Sequence, residues 1–407
     1  MADKAYQIFF GDEAVEQEFY GEVDSLTVEE NSDMASTLHL RLALTKREDG
    51  SWEPLDDERL APYKKISAKI GFQSGEGLAG ALGAALGGSG NDGLEPVFDG
   101  YVTAASLSLG SQPSETFLDV SAMDSSVLMS LEEKVARWPN LSDSEIVQQI
   151  VAAYGVTVEA DATGTVHQEN DTTIVQRGTD LQFVRNLARR NGLEFYFETN
   201  KDTGAITAFL RAPQLDATPQ ADLAIQFGAA SNLVSFNARL SALRPLNVKT
   251  SQTDIKTAGA NFGDAAGTQR APLGALDDNT LVGGTLGALV TPKEAAAQTL
   301  ALGPPSSDPG ELRTIAQAVR DEAAWFISAS GEINSDAYQA VLRPRRLVLI
   351  KGAGSQYSGK YYVTRVTHEI RGGGEYAQHF EGRRNARDVD GSEQFGGDGL
   401  GLPVPGF

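Results

Sequence analysis

The residues that come nearest to a chemical signature are Gly75, Gly77 and Gly80, in the stretch "GEGLAG". They spell G-x-G-x-x-G behind a strand-like run, and acids follow at Glu95 and Asp99. In a dinucleotide fold, glycines so spaced let the backbone approach a pyrophosphate at a helix N-terminus, and a following carboxylate holds the ribose. The four histidines, His39, His167, His368 and His379, are the next candidates, as metal ligands or general bases. None stands in H-E-x-x-H or H-x-H spacing. The chain has no G-x-S-x-G elbow and no P-loop. Carboxylate runs such as Asp56-Asp57-Glu58 abound in so acidic a chain, and without geometry they carry no acid/base signal.

The elements that must position these residues argue against such chemistry. The strand before the glycines, "KISAKIGF" (65–72), puts Ile66, Ala68, Ile70 and Phe72 on one face, so its other face is wet. A dinucleotide-binding strand is buried on both faces. The segment that would have to be helical carries Gly80, Gly83, Gly87 and Gly88, each costing about 1 kcal/mol of helicity. No βαβ repeat follows. The stretch reads as an inserted hairpin loop that binds no cofactor, with Leu78, Leu82 and Leu86 as candidates for contact with an adjacent subunit or a tube. His39 lies on the wet face of "TLHLRLAL" (37–44), whose Leu38, Leu40, Leu42 and Leu44 share the other face.

Residues 5–125 read as an antiparallel strand set, continued by "FDGYVTAASLSLG" and "SETFLDVSAMD". Two helices follow. Ser142 and Glu145 form a capping box before "EIVQQIVAAYG", and Thr179 and Gln182 form a second before "FVRNLARRNG". Gly155 and Gly192 stand at their stops, and Arg189 and Arg190 sit at the negative end of the second helix dipole. "LEFYFE" and "AITAFLRA" complete a small α/β unit as a hairpin. Strands resume at "LAIQFG" and "NLVSFNARLS". An Ala/Gly/Thr/Asp segment, 250–308, holds one short helix announced by Thr291-Pro292-Lys293-Glu294. The longest helix opens at Asp308-Pro309 and runs through "PGELRTIAQAVRDEAAWFISASG". A strand meander closes the fold before a Gly/Pro tail.

The 407 residues are 41% hydrophobic and 22% charged, as in an ordinary globular protein, and suffice for two to four domains. The formal charge is −21, from 55 acids against 34 bases. That disfavours stable nucleic-acid binding, which needs a basic footprint. With no cysteine, disulfides, thiolate metal sites and Cys nucleophiles are excluded. "MADKAYQIFF" turns polar at once, so no signal peptide is expected there, and no run of 18 apolar residues exists, so no membrane insertion is expected.

The most distinctive segment is "GSQYSGKYYVTRVTHEIRGGGEYAQHFEGRRNA" (354–386). It resembles the closing segment of the phage late-control D family of tail hubs, which is similar to the hub portion of VgrG spikes and to hubs of contractile injection systems. The strand residues that carry the resemblance are Gly359, Tyr361, Tyr362, Val363, Thr364, Val366, Thr367 and His368, with Tyr376, Phe380 and Arg384-Asn385-Ala386 after them. "GTDLQFVRNLARRNGLEFYFE" resembles the family's D-x-x-F-x-x-x-L-A helix and aromatic strand, and "FDGYVT" (98–103) its first-barrel strand. "VLRPRRLVLIKGAG" resembles its L-R-P-G approach, with Arg345 in place of glycine. The likeness covers most of the chain and is poorest over 250–308.

The resemblance implies a mainly β fold with α/β modules: two tail-tube-like β-barrels per chain, arranged as a trimeric ring. The expected division is a first barrel over 1–138, an α/β module over 139–213, and a second barrel from 214–250 with 335–390. An inserted loop and helical segment spans 251–334, and a flexible tail 391–407. In the motif strand, Tyr362, Thr364, Val366 and His368 are expected on one face, and Tyr361, Val363, Arg365 and Thr367 on the other. The implied protein is no enzyme, and takes no cofactor and no metal. It is a structural baseplate hub joining a six-fold inner tube to a three-fold spike. Its expected partners are its own copies as a homotrimer, a spike protein and an inner tube or tube-initiator protein, with tape-measure and wedge proteins as further candidates. Phe395, Leu400, Leu402, Val404 and Phe407 of the tail are candidates for spike contact. Assembly is expected in the cytoplasm, into a phage tail or injection particle. Two alternatives stay open: the hub of a non-contractile tail, and, from another class, a secreted hydrolase or carbohydrate-active β protein.

Overall fold

The computed structural model describes residues 3–73, 93–112, 115–170, 173–244, 247–253, 257–283, 298–301, 308–372 and 374–391. Leu78, Leu82 and Leu86, the short helix expected at Thr291-Pro292-Lys293-Glu294, and the tail residues Phe395, Leu400, Leu402, Val404 and Phe407 lie outside the described residues.

Alternating apolar residues build the strands, and the strands build one sheet. Thr37–Ala43 buries Leu38, Leu40 and Leu42, and Lys65–Gln73 buries Ile66, Ala68 and Ile70. Each of the leucines and isoleucines contributes roughly 1.5–3 kcal/mol on full burial. Thirteen strands form a continuous sheet. Its order begins with Leu233–Leu240, Ile327–Asn334, Glu375–Arg384 and Gly359–Arg371. It passes to Val23–Asn31, Thr37–Ala43, Phe117–Asp124 and Leu94–Ser108, and ends with Lys65–Gln73, Asp3–Phe10 and Glu13–Ala14. Leu347–Lys351 branches from Gly359–Arg371 and carries the parallel Gln220–Ala224.

Two separate apolar cores lie along this sheet. One is built on Ile8, Leu26, Leu38, Ile66 and Val120, the other on Phe326, Ile350, Tyr361, Val363 and Phe380. The fold is mainly β, with two apolar cores along one sheet rather than two closed barrels. Among the described residues no barrel closes, because the last strands of the two lobes, Val23–Asn31 and Gly359–Arg371, pair with each other.

The α/β unit stands beside the sheet. The Asp143–Ala152 helix has a full capping box from Ser142 and Glu145. Asp180–Arg190 has half of one, the Thr179 hydroxyl accepting from the Gln182 N–H. Both helices pack on the Glu194–Thr199 and Ile206–Arg211 hairpin, joined by a parallel strand, Thr157–Ala160.

Several described stretches of the Ala/Gly/Thr-rich segment are strands rather than loop. Asn247–Thr253, Ala260–Ala265 and Gln298–Ala301 form a three-stranded sheet against the helix Pro309–Ala323. Small residues permit this close approach. A Cβ on Gly263 would lie 2.4 Å from the Leu312 backbone carbon. That helix is shorter than the sequence predicts. It ends at Ala323, and "ISASGEIN" becomes the strand Ile327–Asn334 of the main sheet, so the expected insertion contributes to the second lobe. Trp325, Phe326 and Ile327 favour a pleated, buried surface over a helix.

Candidate functional site: the buried joint of the sheet

The two lobes meet where Val23–Asn31 runs antiparallel to the second half of Gly359–Arg371, in register from Arg365 opposite Asn31 to Arg371 opposite Ser25. The first half of Gly359–Arg371 pairs instead with Leu347–Lys351. Its pairing with Glu375–Arg384 shifts register between Val363 and Arg365, a bulge at Thr364, whose carbonyl accepts the Ser32 N–H at 2.9 Å. A bulge adds one residue and bends the strand. Here it also breaks the expected alternation. Tyr361 and Val363 share a core with Val366, while Tyr362 packs in another cluster with Trp325 and Leu347. Thr364 is partly exposed and does not share a face with Val366.

All eight motif residues from Gly359 to His368 therefore lie on the strand that splices one lobe to the other. Gly359 has φ +127°, and a Cβ there would lie 2.6 Å from the Arg384 guanidinium. Arg384 is fully buried, and it donates to the carbonyls of Leu273, Ser358 and Asp388. Asn385 bonds the backbone of Leu273 and Ala271. The Arg-Asn-Ala run is thus a latch on the chain around 271–277, with no reactive group.

At the joint the sequence breaks its own apolar alternation. Leu26, Val28 and then Glu30 point inward from one strand, and Val366, His368 and Ile370 from the other. Glu30 and His368 are buried, so each needs a partner. Arg343 donates to Glu30 at 2.8 Å, and the His368 Nε2 lies 3.2 Å from the same carboxylate. The His368 Nδ1 lies 2.8 Å from the Tyr376 hydroxyl. Gln378, fully buried, accepts the Leu342 N–H and donates to the Ala340 carbonyl. Burial alone would raise the Glu30 carboxyl, but Arg343, His368 and Arg345 outweigh it and hold it at about 2. Burial works against the Arg343 charge too, and Glu30 and Glu198 overcome it and raise its pKa.

Arg345 ties the α/β unit to this joint. Its backbone is left-handed, φ +62°, the conformation that a glycine would take without strain. Its guanidinium donates to the Asn31 carbonyl at 2.6 Å and lies 4.3 Å from the Tyr196 ring centroid. Tyr196 stacks on Phe209, which Arg211 covers in turn at 4.0 Å. A cavity of about 690 Å³ lies between the α/β hairpin and the joint, lined by Glu194, Tyr196, Glu198, Phe209, Arg343 and Arg345 among others. Burial raises the Glu194 carboxyl despite Arg383, and Tyr362 donates to it at 2.5 Å.

Every charge at the joint faces an opposite charge or a backbone dipole. The arrangement ties the two lobes together through buried polar contacts. Glu30, Arg343 and Gln378 are absent from the sequence expectations. Their signal was present, as a polar residue at an inward position of a strand, but it does not name the partner. His39 is exposed, with its Nδ1 3.1 Å from the Ser121 hydroxyl. His167 is buried 3.0 Å from Asp143, which also pairs with Arg190. Among the described residues no group of three or more His, Asp or Glu could hold a metal ion, and no helix is long and apolar enough to cross a membrane.

Solved structures with this fold are phage tail and secretion proteins. The 43 kDa tail protein of prophage MuSo2 from Shewanella oneidensis matches at a TM-score of 0.58 with 13% identity, over 95% of this chain and 100% of that one. A tail protein from Neisseria meningitidis MC58 matches at 0.60 with 10% identity, over 94% and 97%. The Escherichia coli c3393 protein, described as a component of the type VI secretion system with structural similarity to the T4 tail proteins gp27 and gp5, matches at 0.52 with 13% identity. That match covers 94% of this chain and 78% of the other. At such identities the likeness is one of fold. No curated protein matches the sequence. Residues 86–372, the greater part of the chain, match the family model described as the Alg8 N-terminal domain, and the chain belongs to that family.

Proposed function

We propose that this protein is a structural hub of a tail baseplate, placed between an inner tube and a spike. The observation that carries the reading is a likeness of fold to tail proteins over nearly the whole chain, both lobes and the α/β unit together. A rigid joint between two lobes suits that role. Three copies of a two-lobed chain offer six lobes to a six-fold tube and three-fold symmetry to a spike. In this account the chain acts as a homotrimer around an open channel, each lobe standing for one tube-like unit, and catalyses no reaction. The lumen is net negative or neutral, which keeps acidic cargo from sticking within the roughly 8 Å screening length. The contractile setting, the spike, the tube-initiator, tape-measure and wedge partners, and cytoplasmic assembly into a particle all belong to the same proposal.

The test is to fuse a small tag to the C-terminus and to image assembled particles with a gold label. Label confined to the baseplate end supports the hub. Label along the tube, or particles of full composition without the chain, would contradict it. Isothermal titration with NAD and ATP, expected to be silent, checks the reading of Gly75, Gly77 and Gly80.

A further inference from the structure

A two-stranded ribbon of the α/β unit presents a face that nothing among the described residues covers. Glu133–Trp138 pairs with Ile174–Thr179, Val135 opposite Arg177 and Arg137 opposite Val175. The inner face is held down. Gln176 is fully buried and donates to Asp180 at 2.6 Å, the Trp138 indole donates to Gln176, and Lys134 pairs with Asp180. The outer face carries Glu133, Val135 and Arg137 on one strand and Val175 and Arg177 on the other, two arginines against one acid. Val135 is 82% exposed and Val175 40%. Arg137 and Arg177 are exposed and have no ion-pair partner among the described residues. Two valines exposed beside two arginines give the face some apolar area and a net positive charge, on a chain whose formal charge is −21.

The complementary surface lies on the first lobe. A groove of about 640 Å³ runs between the Gln17–Gly21 turn and the residues around Trp52. Phe19, Trp52 and Pro54 give it an apolar side. Its arginines are already engaged, Arg47 by Glu53 and Arg59 by Asp57 and Glu16. Glu18, Glu22 and Asp56 have no ion-pair partner among the described residues. Burial and then the Glu53 charge push the Glu22 carboxyl up.

We infer that the Val135/Val175/Arg137/Arg177 face docks into the acidic Trp52 groove of a second copy of this chain. The two patches are of opposite charge and different shape. A head-to-tail contact joins one patch of each kind at every interface, and it forms a ring where its rotation closes. The inference rests on the self-assembling reading above and names the surfaces that such a ring uses.

Light scattering across a dilution series of the full-length protein tests it. Arg137→Glu with Arg177→Glu should weaken self-association about tenfold or more, because like charges then meet. Glu18→Arg with Asp56→Arg should do the same, and the four substitutions combined in one chain should restore it. Arg137→Gln with Arg177→Gln should show a smaller loss in the same direction. Parental association in the double variants, or no recovery in the combined chain, would overturn this interface while leaving the hub reading intact. A parent chain that stays monomeric would remove both.

Discussion

The Arg345 guanidinium donates to the carbonyl of Asn31 at 2.6 Å across 314 residues of sequence, from a backbone held at φ +62°. A left-handed conformation costs a non-glycine residue on the order of 1–2 kcal/mol. The strain is offset by the charged hydrogen bond and the Tyr196 face, together worth roughly 2–4 kcal/mol. Arg345→Gly should therefore destabilise the fold by about 1–2 kcal/mol, although glycine suits the turn. Arg345→Ala, which keeps the strain and loses the contacts, should be worse by about a further 1 kcal/mol. Urea titration of the two variants measures both, and an Arg345→Gly protein more stable than the parent would refute the bridging role.

Glu30 makes the joint sensitive to acid. In the folded protein its carboxyl is held at about 2. In the unfolded chain it returns to about 4.3. A depressed acid contributes stability above its unfolded value and loses it as pH falls towards its folded value. Between about pH 5 and pH 2 the parent should therefore lose on the order of 3 kcal/mol that Glu30→Gln does not lose. At pH 7 Glu30→Gln should be less stable by about 3–5 kcal/mol, because Arg343 is left buried without its partner. Denaturant midpoints at several pH values give both numbers. Parallel pH profiles for the two proteins would show that Glu30 does not carry the effect.

Gly359 is predicted to tolerate no side chain. Gly359→Ala sets a Cβ against the buried Arg384 guanidinium and strains a backbone at φ +127°. A loss of about 3 kcal/mol or more is expected. Gly374→Ala is the control, since it has positive φ but open space around it. Its loss should be near 1 kcal/mol. Equal thermal shifts for the two would mean that Arg384 moves aside without cost.

The strands and the two capped helices were legible because their signals are local: alternation at Leu38, Leu40 and Leu42, and Ser142 three residues before Glu145. The closing motif was legible as a strand but not as a splice. Nothing near residues 365–371 states that their partners are residues 25–31, and the bulge at Thr364 that separates the two pairings leaves no mark in composition. Two barrels were expected because the family resemblance implies them, and local alternation along each strand does not show which strands pair across the lobes. The segment 250–308 read as loose because Ala and Gly are poor strand formers, yet in Gly263 the missing side chain is what lets a strand lie on the Leu312 backbone. The joint itself was hidden because it unites an inward acid at residue 30 with arginines at 343 and 345, over 300 residues away in sequence.

The central claim is that three copies form a ring with an open channel. Size-exclusion chromatography with light scattering, and electron micrographs of the same peak, test it most directly. The account predicts a particle of three times the 43.3 kDa chain mass, with three-fold class averages around a central hole. A monomer at every concentration and salt, or a closed assembly of other symmetry, would contradict it.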